Sequence, residues 1–271
     1  MPTPPQPATR QGSPGRSRIR SGGALTAWAN SWLRGAVSYD AAVTAIHEAG
    51  IGTVRGLPNH PEPAPVGWIL SALRSAGGTP LRLVLPVPGD IRGVPDSPGL
   101  AAAATHAGQL VVGLGVAFFP DPDRDPDPDP TADRVWLAWE LAEEIPTTVT
   151  PGEQQTISQA EGALRLAVLE ATHVLAALDV ARWNPAAESL LRREPLLALP
   201  HDHEPSAAAL ATRATRLSAI LELARADAPG GAINAYGAAH RDAALRPLSV
   251  AVREALMTAY SAIPVNRTVN R

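Results

Sequence analysis

Cysteine and lysine are both absent from this 271-residue chain, and aromatic residues supply only 4% of it. Without cysteine there is no disulfide, no thiolate nucleophile and no cysteine-ligated zinc or iron–sulfur centre. That fits a reducing cytoplasm, the expected location. All 23 basic residues are arginine. Beside so much Ala, Gly and Pro, this bias has its simplest cause in GC-rich codons and carries no functional weight. No run of about 18 apolar residues occurs, so no transmembrane helix is expected. The apolar stretch after Arg20 is short and runs into Asn30, Trp32 and Arg34, so it is not read as a signal peptide. A net charge of −3 argues against broad electrostatic binding to nucleic acid or to an anionic membrane.

What is present divides into an amino-terminal part of mixed character and a carboxy-terminal part without strands. Residues 1–23 hold Pro, Gly and four arginines, offer little to a core, and are expected to form a disordered basic tail. From Ala24 the period turns helical, with Leu25, Trp28, Trp32 and Leu33 on one face and Gly35 as a stop. A second helix is expected with Asp40 as N-cap, Val43 and Ile46 inward, and Gly50 just past its end. Thr53 to Leu57 reads as a short strand. The Pro-rich connector after it cannot join a sheet interior. Pro65 suits the first turn of a third helix, whose buried face is Val66, Ile69, Leu70 and Leu73.

Leu81 to Val87 is the best strand. A short Ala-rich helix near Leu100 to His106 and a second strand from Gln109 to Phe119 follow, a unit read as parallel with a right-handed crossover. Asp121 to Pro130 alternates Asp and Pro and projects as an exposed acidic loop. Arg134 to Leu141 reads as a strand pairing antiparallel with the one before the loop, Trp136 and Trp139 pointing opposite ways. A helix capped by Asp133 is the competing reading.

The segment from Glu153 to Trp183 has the clearest period. Ile157, Leu164, Val168, Ala171, Leu175 and Leu178 form one stripe, and Leu166, Leu169, Val174 and Val180 form another. A helix apolar on two sides is expected to be covered on two sides. A helix capped by Ser206 carries Leu210, Leu217, Leu221 and Ala224. The last runs from about Ala235 to Ala262, broken or kinked at Pro247, and buries Leu248, Val252, Leu256 and Tyr260. The fold class is therefore α+β: a small mixed sheet covered by helices over 24–150, and an all-helical part over 151–271 packed on it through the long helix. The two apolar sides of that helix favour one continuous core over two domains.

Few places suit chemistry. Gly113-Leu114-Gly115 lies inside a strand, lacks a third glycine and is followed by no helix, so it is read as a bulge or close backbone approach rather than a phosphate loop. The aspartates of 121–130 lack the glycine and glutamate of a calcium loop. His201 and His203, with Asp202 and Glu204, form the only dense group of metal-ligand residue types, but alternate residues of a loop diverge and no third ligand is identifiable. His173 and His240 are the remote candidates, and no metal or cofactor is expected. Arg213 and Arg216, one turn apart, are placed to pair with acids of a neighbouring helix or to form a partner surface. The loop after the best strand holds Asp90, able to act as acid, base or anchor, and Arg92, able to bind an anion bidentately. His60 and His106 are candidates to converge there. Ordinary turn chemistry explains Pro-Gly-Asp equally well.

The function expected from these features is a non-enzymatic protein that binds or regulates another protein, or associates with itself. The alternatives are an enzyme or small-molecule binder using Asp90 and Arg92, and a nucleic-acid binder using the arginine tail.

Overall fold

The computed structural model describes residues 18–58, 60, 62–122, 134–141, 155–177, 197–226 and 235–264. Seven helices are present among them: α1 (Arg18–Leu33), α2 (Tyr39–Glu48), α3 (Gly67–Ser75), α4 (Leu100–Ala107), α5 (Ile157–Ala177), α6 (Pro205–Ala226) and α7 (Ala235–Tyr260). The strands are β1 (Ile51–Arg55), β2 (Ala64–Pro65), β3 (Arg82–Val84), β4 (Leu110–Val112), β5 (Val116–Pro120) and β6 (Arg134–Glu140). The expected α+β class is the observed one, with one mixed sheet and the C-terminal helices packed on it.

The sheet has six strands in the order β2-β1-β6-β5-β4-β3. Only β1 and β6 pair in parallel; every other pair is antiparallel. Side chains alternate between its faces as the two-residue period requires. Leu83, Val111, Phe118 and Trp136 enter the core beneath α1, α2, α3 and α7. Val84, Leu110, Val112, Ala117 and Phe119 enter a smaller core under α4, with Leu137 and Trp139 packed against it. The two tryptophans of β6 thus face opposite ways, as expected, and residues 134–140 are a strand rather than a helix.

Several expectations change. The unit built on 81–87 and 109–119 is antiparallel, with Arg82 opposite Val112. The presumed second strand is a hairpin, because Gly113-Leu114-Gly115 turns the chain and Gly115 takes a φ of 69° that a side chain would resist. Pro65 lies in the edge strand β2 instead of opening α3, and Ser38, whose hydroxyl accepts from Ala41 N, caps α2 in place of Asp40. Glu204 replaces Ser206 at the start of α6, its carboxylate accepting from Ala207 N at 2.7 Å. Pro247 does not end α7, which continues through it; the buried stripe beyond it outweighs the roughly 3 kcal/mol a mid-helix proline costs. The described part of the acidic loop includes Asp121, which is buried; residues 123–130 lie outside the described residues.

Helix α1 begins at Arg18, inside the stretch assigned by composition to the tail. Gly22 and Gly23 are buried here because the helix needs their small size. An added Cβ on Gly22 would stand 2.4 Å from Gln109 Oε1, and one on Gly23 3.0 Å from the Tyr260 ring. Buried polar side chains fasten α1 to the sheet. Asn30 donates Nδ2 to Leu81 O at 2.9 Å and accepts Leu81 N on Oδ1 at 2.7 Å. Gln109 accepts Gly22 N at 3.0 Å.

The largest correction concerns α5. Ala160, Leu164, Ala167 and Ala171 are buried, yet Leu166 is 57% and Leu169 63% exposed, and Val174 is exposed too. One flank is therefore bare, and α5 does not lie between two layers. It packs along α7, and α7, with α1, carries the helical part onto the sheet. Small residues face α7 because they let the two helices approach closely.

Replacing Asn30 by Leu leaves the buried N–H and C=O of Leu81 without partners, each worth about 1–3 kcal/mol. Urea unfolding should show a loss of roughly 2–4 kcal/mol.

Candidate functional site

The loop after β3 is a reverse turn clamped to a helix. Val87 and Asp90 exchange backbone hydrogen bonds of 3.0 and 2.9 Å around Pro88-Gly89, with Gly89 at φ 85°. Arg92 donates Nε and Nη2 to the two Asp90 oxygens at 2.8 and 2.7 Å, and Nη2 also reaches Glu254 of α7 at 2.7 Å. Arg253 of α7, its side chain only 10% exposed, donates to Asp90 as well. The hydrogen bond from Arg92 holds the Asp90 carboxyl well below its usual range, with the Arg253 hydrogen bond and charge adding to it. A carboxylate so saturated is a strut that ties the loop to α7. Nε and Nη1 of Arg253 have no hydrogen-bond partner.

His60 and His106 do not join this cluster. His60 stacks on Trp68 with ring centroids 4.6 Å apart, beside the β1–β2 edge. Asp90 follows β3 at the opposite edge, five strand spacings of about 4.8 Å away. His106 is exposed at the end of α4, the helix on the far face of the sheet.

The group at 201–204 also disperses, and three of its members engage three different helices. Asp202 accepts from Ser31 Oγ of α1 and, at 2.6 Å, from Nη2 of Arg34 in the turn just past that helix. Trp28 of the same helix donates Nε1 to Ala198 O at 2.9 Å. His203 is buried, and its Nε2–H meets Ala259 O, in the last turn of α7, at 3.0 Å. That carbonyl, at the helix end, also accepts from Ala262 N at 3.4 Å. Glu204 caps α6, and His201 is exposed. The segment is a clasp joining three helices. His173 is exposed on α5, and the side chain of His240 lies outside the described residues. Among the described residues no three His, Cys, Asp or Glu side chains gather as a metal would require.

A concavity does exist, at a place the sequence marked only by its two arginines. Helices α5 and α6 both pack along α7 but barely touch each other. Val168 of α5 and Ala208, Ala209, Thr212 and Leu217 of α6 are too small or too far apart to close the gap, which opens as a groove of about 620 Å³. Arg213 and Arg216 rim it. Arg213 meets Glu161 of α5 at 2.8 Å, which holds the Glu161 carboxyl below its ordinary range. Arg216 is exposed and has no ion-pair partner among the described residues. The groove was hard to foresee because its walls lie some forty residues apart in the chain and its floor is alanine.

The clasp makes stability depend on pH near neutrality. Burial holds the His203 imidazole below its ordinary 6.5, against the opposing pull of the Ala259 carbonyl and the Asp202 charge. The unfolded chain then binds the extra proton first, so this contribution is complete above 6.5 and declines as the pH falls below it. For Asp202, burial raises the carboxyl and the Ser31 and Arg34 hydrogen bonds more than offset it, so its share is lost only at lower pH, below the ordinary 3.8. Melting temperature measured from pH 7 down to about 5 should fall for the parent and stay nearly flat for His203→Gln.

Two family models match the chain: "Rv1486c-like protein, N-terminal domain" over residues 22–154 and "Rv1486c-like protein, C-terminal domain" over residues 158–257. The chain is 30% identical over 278 aligned residues to "Uncharacterized protein Rv1486c" of Mycobacterium tuberculosis, covering 88% of this chain and 95% of the relative. It is 27% identical over 288 to "Uncharacterized protein ML1804" of Mycobacterium leprae, with the same coverage. No solved structure matches. No helix among the described residues is long and apolar enough to cross a membrane. With both halves matched in order and the likeness running nearly end to end, the chain belongs to the Rv1486c-like protein family.

Proposed function

We propose that this chain is a non-enzymatic cytoplasmic protein that binds another protein chain through its helical carboxy-terminal part. The observation that carries the reading is the groove between α5 and α6, apolar along its floor and charged at its rim. The same helix α5 also exposes Leu166 and Leu169. Exposed apolar side chains and an apolar groove mark surfaces that gain by being covered, and a helix laid into such a groove is a common mode of recognition. The charged groups singled out elsewhere favour this reading over an enzyme. Asp90, Arg92, Asp202, His203 and Glu204 are each engaged in holding one element to another, which leaves them poorly placed to serve a substrate.

A photo-crosslinking residue placed at Ala209, which lines the groove, tests this in cells. Covalent adducts with protein are expected there, severalfold above those from the same residue at exposed Glu48 on α2. Equal yields at the two positions would overturn the reading.

A further inference from the structure

We infer that the occupant of the groove is the α5 ridge of a second copy of this chain, so that two copies pair symmetrically and each fills the other's groove. This rests on the reading of the groove as a protein-binding site and names what it binds.

Both halves of such a contact are on one molecule. The ridge is Leu166 and Leu169, more than half exposed and turned away from α7. The groove is floored by Ala208, Ala209 and Thr212, with Leu217 beside them. A protruding leucine pair and a channel lined by small residues are complementary in shape, and a twofold axis uses each of them twice. Gly162 adds an independent observation. It sits within α5, where glycine weakens a helix relative to alanine, and an added Cβ would meet nothing within 4 Å. Nothing inside the molecule calls for glycine at that position. A close approach by a backbone from outside would. The charges agree: Glu170 beside the ridge and Arg216 on the groove rim are both exposed and lack ion-pair partners among the described residues. Glu170 and Arg216 supply one pair of opposite charges for the contact, while Arg165, also exposed on α5, is held by Glu161 at 3.3 Å.

Sedimentation of the full chain tests the inference with two variants that block opposite surfaces. Leu166→Glu with Leu169→Glu spoils the ridge and leaves the groove intact. Ala209→Trp fills the groove and leaves the ridge intact. The parent should sediment at twice the chain mass and each variant at the single mass, with melting temperatures showing both still folded. An equimolar mixture of the two variants should regain a heavier species, because the ridge of one still fits the groove of the other. The inference is overturned by a parent that stays at single mass up to about 100 µM. Retention of the double mass by either folded variant, or a mixture with no heavier species, overturns it equally. If the parent is monomeric yet the Ala209 crosslinker captures a different protein, only the second copy is wrong. If that crosslinker captures nothing above the control, the protein-binding reading has failed with it.

Discussion

The C-terminal half of α7 is the contact on which both parts of the molecule depend. It lies along β3, the last strand of the sheet, whose outward N–H groups would otherwise stand open to another chain. Leu83 N donates to Ser261 Oγ at 2.9 Å and Leu85 N to Met257 Sδ at 3.2 Å. The same stretch buries Val252, Ala255, Leu256, Ala259 and Tyr260 in the main core. Tyr260 sits against Gly23 of α1, and Ala259 O receives His203 from the clasp. One helix thus covers a sheet edge, supports α1 and carries α5 and α6. The main hydrophobic cluster it joins takes in residues from Leu25 to Tyr260.

That arrangement explains which ionisable groups are occupied. Arg253 and Glu254, one turn before Met257, take hold of Asp90 and Arg92 and fix the loop that leaves β3. Asp202 and His203 fix the loop that enters α6. Each of these two clusters makes a contact with α7, through Asp90 and Arg92 in one and through His203 in the other. The surface left over faces the other way, in the groove between α5 and α6 and on the outer flank of α5.

The sheet was legible because alternation along a strand is a local property. Trp136 and Trp139 had to face opposite sides, and they do. Strand partners are less legible: two glycines inside an apolar run suit a bulge within one long strand as well as the turn of a hairpin, and only the first of these leaves room for a parallel crossover. The flank of α5 was misjudged for a related reason. Period shows which residues share a side, but whether a neighbour covers that side depends on the rest of the chain. Here Leu164 and three alanines turn inward while Leu166 and Leu169 face out, an ordering that side-chain size alone does not suggest. Asn30 and Gln109 could not be recognised as fasteners, since their partners are backbone and side-chain groups 51 to 88 residues away. Of the site, sequence marked the paired arginines of α6 but could not show that α5 stands far enough from them to open a groove.

Native-state hydrogen exchange tests the central role of α7 most directly. The amides of residues 251–260 should exchange only through the same global opening as those of β4 and β5, with equal free energies and equal denaturant dependence. If the amides of α7 open well below the sheet while β4 and β5 stay protected, the helical part is a separate unit resting on the sheet, and α7 does not hold the two together.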